Sequence, residues 1–204
     1  MKQLYLIRHG DADYEKDCLT DEGRSRVRGL SRSLSELLPE GIIYSIVSSP
    51  SGRTKETAQL LLPMLRDKSG KIVYIDEDSR LGELRSVGDK EEMRMHGEQN
   101  LALLDEYDSE IGIFSSHERL IKAMAFAIAD KFGIALPAEF YPGQASRNLK
   151  VKQIMWKHKI TEEQAIAAVR ELPDPFTDHS VIRPGYALNF NLEARVVSFV
   201  TPDY

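Results

Sequence analysis

Short apolar runs alternate with longer amphipathic stretches along this chain. Residues 2–7 read as a short, buried strand. The run stops abruptly at Arg8-His9-Gly10-Asp11, a polar cluster that no core strand would choose. Thr20 then offers an N-cap, with Asp21 and Glu22 in the first turn, where the helix dipole favours anions. Val27, Leu30, Leu34, Leu37 and Leu38 follow at helical spacing and predict a helix over 21–38, closed by Pro39 and Gly41. A second strand is expected over 42–48, β-branched and mostly apolar on both parities, as expected for a sheet covered on both faces. A turn at 49–52 leads into a helix over 51–66 with Ala58, Leu61, Leu62 and Leu65 as its apolar stripe. A third strand is expected over 71–75, and a polar stretch over 76–100, with a helix near 89–106. A fourth strand over 111–115 and a helix over 119–132 complete the series. This rhythm predicts an α/β fold, a three-layer α/β/α sandwich around a mostly parallel central sheet.

Residues 137–185 break the rhythm, with prolines at 137, 142, 173, 175 and 184. Stretches at 148–158 and 161–171 read as helices, so this region is expected to be a helical insertion, a hairpin or flap, within a single domain spanning 1–204. Residues 186–191 and 195–200 flank a short turn and predict two antiparallel strands that close the domain.

Composition narrows the class. Apolar residues make up 42% and charged residues 29% of 204 positions, a globular mix that excludes collagen-like and disordered chains. With 27 Lys+Arg against 32 Asp+Glu the net charge is −5, so no global attraction to nucleic acid or to an anionic membrane is expected. The single cysteine, Cys18, has no partner for an internal disulfide, which fits a reducing compartment. The first apolar run is cut short by Arg8 and His9, so no secretory leader is expected, and the cytoplasm is the expected location.

Three polar clusters fall at the carboxyl ends of predicted parallel strands, the edge at which open α/β sheets bind ligands. They are Arg8-His9-Gly10, the segment Ser48-Ser49-Pro50 with Arg53, and Ser115-Ser116-His117. A fourth, Leu81-Gly82-Glu83-Leu84, lies in the polar stretch. Convergence of the first three would build a cup from two arginines and two histidines. Guanidinium groups present forked donors suited to phosphoryl oxygens. Arg53 also opens a helix, whose N-terminus favours an anion. An imidazole with one unprotonated nitrogen can attack phosphorus, and the second can act as a charged donor to the equatorial oxygens. His96, His158 and His179 lack metal-ligand spacing, so no zinc site is expected.

Arg8-His9-Gly10, Ser48-Ser49-Pro50-x-x-Arg53-x-x-x-Thr57-Ala58, Leu19-Thr20-x-x-Gly23 and the later Ser116-His117 together resemble the histidine phosphatase (phosphoglycerate mutase-like) superfamily over about residues 1–135. The short middle region is similar to that of its small phosphohistidine phosphatase branch. The resemblance implies a phosphatase acting on a phosphomonoester or phosphohistidine, with no metal, nucleotide or other cofactor. His9 would be the nucleophile that forms a phosphohistidine intermediate, with Arg8, Arg53 and His117 binding the phosphoryl oxygens. Glu83 would be the acid that protonates the leaving group, with Asp11 and Glu118 as rival carboxylates. The small branch lacks that acid. Many relatives carry Gly where this chain has Glu118. The expected partner is a phosphorylated small molecule or a phosphoprotein. Two other readings stay open: a phosphoglycerate-type mutase, against which the short middle region speaks, and a phosphate-binding module without turnover. The basic run Arg147, Lys150, Lys152, Lys157, Lys159 reads as a solvated helix face, as does the series Arg24, Arg26, Arg28, Arg32. Trp156 reads as an anchor of the insertion.

Overall fold

The computed structural model describes residues 1–69, 75–84, 90–107, 109–137, 140, 155, 159, 161–171 and 182–203. In chain order the elements are β1 (Gln3–Arg8), β2 (Ala12–Asp13), β3 (Cys18–Leu19), α1 (Asp21–Leu37), β4 (Tyr44–Ser48), α2 (Gly52–Ser69), β5 (Ile75–Glu77), α3 (Lys90–Leu101), α4 (Leu103–Glu106), β6 (Ile111–Ser116), α5 (Glu118–Phe132), α6 (Glu162–Glu171), β7 (Ala187–Asn191) and β8 (Val196–Val200). One six-stranded sheet has the order β5-β4-β6-β1-β7-β8. Its first four strands run parallel, and β7 and β8 close it in antiparallel register.

The sheet separates two cores, as the side-chain alternation of a strand requires. Leu4, Leu6 and Phe114 face Leu120, Met124 and Ile128 of α5. Tyr5, Ile7 and Ile113 face Val27, Leu30 and Leu34 of α1 and Ala58, Leu61 and Leu65 of α2. Each Leu, Ile, Val, Phe or Met among them contributes about 1.5–3 kcal/mol when fully buried. Residues 4–7 of β1 are wholly buried, which is why that strand shows no polar parity.

Helix ends follow the chemistry of their sequence. The Thr20 hydroxyl accepts the Gly23 N–H at 3.0 Å and caps α1. Thr161 and Gln164 form a reciprocal capping box at the start of α6. Gly133 closes α5 in the left-handed conformation, φ 64°. Among the expectations, Leu37 departs from the apolar stripe and is exposed. Arg24 and Arg26 do not point freely to solvent: Arg24 pairs with Glu56 at 2.5 Å and Arg26 with Asp11 at 3.1 Å, tying α1 to its neighbours. Most of the expected strand at 71–75, nearly all of the expected helix at 148–158, and Trp156 lie outside the described residues.

The apolar pattern does not predict the β2–β3 hairpin, because two-residue strands leave no periodicity to read. The hairpin is held by a close backbone approach. A Cβ on Gly23 would stand 2.0 Å from the Asp11 carbonyl oxygen, and one on Gly10 2.6 Å from the Gly23 carbonyl oxygen. Gly23→Ala is therefore expected to destabilise the fold by about 1–3 kcal/mol, as overpacking does, measured by urea unfolding. An unchanged midpoint would show that the hairpin yields freely.

Candidate active site

Parallel pairing places the predicted clusters at one sheet edge. Arg8 lies opposite Ser116 in the β1–β6 register, and Ser48 opposite Ser115 in the β4–β6 register. The residues just beyond those ends, His9, Ser49 and His117, therefore emerge side by side. The His9 amide donates to the Ser116 carbonyl, and the Ser49 amide to the Ser115 carbonyl. The cleft they open has a volume of about 570 Å³ and is lined by residues that include Arg8, His9, Arg53, Glu83, His117 and Glu118. All five residues singled out for chemistry thus share one cavity.

His9 is oriented by its own neighbour. Its Nδ1 lies 2.7 Å from the Gly10 carbonyl oxygen, which can only accept, so Nδ1 carries the proton and Nε2 keeps its lone pair. Arg53 Nε points its N–H at that lone pair from 3.3 Å. The imidazoles of His9 and His117 meet edge to face with centroids 5.3 Å apart. α5 begins at Glu118, one residue before the expected start, which leaves His117 at the N-cap position with its side chain free of capping duty. His117 Nε2 is 3.1 Å from the Ser49 hydroxyl, and its Nδ1 is 3.4 Å from Arg53 Nη2.

The arginines are less available than a bare cationic cup would make them. Arg53 Nη1 donates to Asp17 at 2.5 Å and its Nη2 to Glu83 at 2.8 Å. Asp17 also accepts the Gly52 N–H at 2.6 Å, so this carboxylate occupies the N-terminus of α2 that the sequence offers to a bound anion. Burial would raise the Asp17 pKa, but the Gly52 N–H and Arg53 outweigh it and hold the carboxyl below its usual range. Arg8 Nη1 donates to the Ile182 carbonyl and to Glu118, both at 2.7 Å. Arg8 Nε is buried without a hydrogen-bond partner among the described residues. Glu118 in turn accepts from Lys122 Nζ at 2.8 Å, and Lys122 is itself fully buried. Tyr14, from the hairpin, lays its ring 5.1 Å from the Arg53 guanidinium carbon.

Sequence reasoning missed Asp17 and Tyr14 because it saw only a polar loop there. A residue poised for positive φ was their one local signal, and Asp17 has φ 50°. Among the described residues no group of His, Cys, Asp and Glu could hold a metal ion, and no helix is long and apolar enough to cross a membrane.

The model of the histidine phosphatase superfamily (branch 1) matches residues 4–110. The chain belongs to the histidine phosphatase superfamily. No curated protein sequence matches it significantly. Among solved structures, it is similar to a protein assigned as the phosphohistidine phosphatase SixA of Agrobacterium tumefaciens. Identity is 16%, coverage 98% of this chain and 97% of that one, and TM-score 0.53. It is also similar to a protein assigned as an alpha-ribazole-5'-P phosphatase of Escherichia coli, with 15% identity, 99% and 96% coverage, and TM-score 0.52. These are likenesses of fold. In this histidine phosphatase superfamily member, Glu118 stands where the resemblance leads one to expect glycine, and its link to Arg8 is what that substitution provides.

Burial lowers the pKa of both imidazoles to about 4. For His9, its bond to Gly10 offsets this in part, and His117, Arg53 and Arg8 reinforce it. For His117, Arg53 and Arg8 reinforce it and Asp17 opposes it. Both rings are therefore neutral at pH 7, including the His117 ring that the sequence suggests as a charged donor. An unfolded imidazole titrates near 6.5, so between pH 6.5 and about 4 the unfolded chain holds the extra proton and folding stability falls as pH falls. Each ring accounts for at most about 1.4 kcal/mol per pH unit over that window. Measured by urea unfolding, this loss of stability should be steeper for the wild type than for His9→Asn/His117→Asn. Parallel pH profiles would refute neutral buried imidazoles.

Proposed function

We propose that the protein is a phosphohydrolase that passes through a phosphohistidine on His9. One observation carries this reading: the Nδ1–H of His9 is spent on the Gly10 carbonyl, so that Nε2 faces, unprotonated, a cleft that also holds Arg8, Arg53 and His117. In the first step the Nε2 lone pair forms the N–P bond while the bond from phosphorus to the leaving oxygen breaks. Glu83, protonated, gives its proton to that oxygen. In the second step water attacks phosphorus, Glu83 takes a proton from the water, the N–P bond breaks and His9 recovers its lone pair.

Arg8, Arg53 and His117 hold the phosphoryl oxygens, and the fixed donors stabilise the charge spread over them in the transition state. Arg53 must turn its Nε–H away from His9 Nε2 as phosphorus arrives. A phosphoryl dianion is the natural replacement for the two carboxylates on this guanidinium. Side-chain exposures of 44% for Asp17 and 47% for Glu83 leave both free to withdraw into water. Glu83 then stands at the cleft wall beside the leaving group, the position an acid requires.

His9→Ala is expected to abolish hydrolysis of p-nitrophenyl phosphate, a loss of at least about a thousandfold in kcat, as for removal of a covalent nucleophile. Substantial residual turnover would remove His9 from that role. Glu83→Gln is expected to slow alkyl phosphomonoesters at least about tenfold more than p-nitrophenyl phosphate, since a good leaving group needs little protonation. Equal losses would take Glu83 out of the acid role.

A further inference from the structure

His117 is neutral at pH 7, so one ring nitrogen carries the proton and the other a lone pair. Which nitrogen holds the proton decides whether the ring can donate to a phosphoryl oxygen. Ser49 supplies the answer. The residue is only 1% exposed, and a hydroxyl shut away from water must find an acceptor. Its Oγ lies 3.1 Å from His117 Nε2, and its other hydrogen-bond partner among the described residues is the Ser51 amide, which can only donate. Nε2 is therefore the acceptor within reach. We propose that Ser49 is a positioning residue: its hydroxyl donates to Nε2, holds the proton of His117 on Nδ1 and so makes the neutral ring a hydrogen-bond donor to the phosphoryl group. The inference rests on the reading that a phosphoryl group binds beside His9.

The surroundings of Nδ1 agree. Arg53 Nη2 stands 3.4 Å from it, beyond the usual donor–acceptor range of about 2.7–3.2 Å, and has Glu83 as an acceptor at 2.8 Å. Arg53 therefore makes no strong claim on a lone pair at Nδ1. That nitrogen lies on the arginine side of the ring, where a phosphoryl group would sit, while Nε2 faces the buried Ser49. Ser51 is a poor substitute for Ser49: its hydroxyl is 3.5 Å from Nε2 and has Thr54 Oγ1 at 2.8 Å. The two imidazoles of the cleft are then set in complementary ways, each through the nitrogen it does not offer to the ligand. The Gly10 carbonyl takes the Nδ1 proton of His9 and leaves a lone pair for phosphorus. Ser49 takes the Nε2 lone pair of His117 and leaves a proton for a phosphoryl oxygen. A donor fixed in this way is in place before the ligand arrives.

The test reads the proton directly. Nitrogen NMR spectra of histidine-labelled wild-type protein at neutral pH, with and without inorganic phosphate, should show His117 protonated at Nδ1 and unprotonated at Nε2, its signals assigned by their loss in His117→Asn. A proton on Nε2 alone, or on both nitrogens in the presence of phosphate, would overturn the proposal. In Ser49→Ala, calorimetric titration should show inorganic phosphate binding at least about fivefold more weakly than in the wild type, with Ser51→Ala within about twofold of it. Unchanged affinity in Ser49→Ala, or an equal loss in Ser51→Ala, would remove Ser49 from the role. Should Ser49→Ala fail to fold, the wild-type spectra decide. Absence of phosphate binding by the wild type alongside the Nδ1 proton would instead refute the phosphoryl reading and leave the placement of the proton standing.

Discussion

The Arg53 guanidinium is the interaction on which the site depends. It is almost wholly buried, yet its nitrogens reach His9, His117, Asp17 and Glu83, four side chains from four separate segments of the chain. A buried cation without partners would cost several kcal/mol, so the fold is obliged to bring carboxylates to it. That obligation explains the β2–β3 hairpin: its tip delivers Asp17 both to Arg53 and to the first amide of α2. It also explains the close backbone packing at Gly10 and Gly23, since any Cβ there would push the hairpin away from the guanidinium.

Much of this was legible in the sequence, because the relevant signals are local and redundant. A doubly covered strand must be apolar on both parities, and the cores of β1 and β6 are; a polar cluster at the carboxyl end of such a strand is the pattern by which open α/β sheets hold ligands. Three strands ending in that way, plus parallel topology, bring Arg8, His9, Arg53 and His117 together with no contact information at all. What stayed hidden is what depends on pairing at a distance. Arg24 and Arg26 look like solvated residues on a helix face. Only the folded chain shows Glu56 and Asp11 waiting for them. Asp17 looks like an ordinary loop carboxylate for the same reason, and the pairing of Glu118 with both Arg8 and Lys122 is equally hidden.

The hidden residues change the electrostatic picture the most. Read from sequence, the cleft is a cationic cup with a charged histidine. In the structure its arginines are met by carboxylates and its imidazoles are neutral, because burial disfavours the protonated ring. A free Nε2 lone pair and positive charge on the ring are mutually exclusive for His9, and at neutral pH the ring has the first.

The carboxylates then fall into two mechanical kinds. Asp17 and Glu83 are half exposed, and ion pairs with one foot in water contribute about 0–1 kcal/mol each, so an incoming dianion can displace them at little cost. Glu118 belongs to a buried chain from Arg8 to Lys122, where removing one member costs about 3–5 kcal/mol because it strands the others. Under the proposed reading, Arg53 is thus a cation whose partners would give way to a phosphoryl group. Arg8 is one whose partner stays, leaving its buried Nε–H as a donor not spoken for among the described residues. One arginine has partners that can yield, and the other has a partner that cannot.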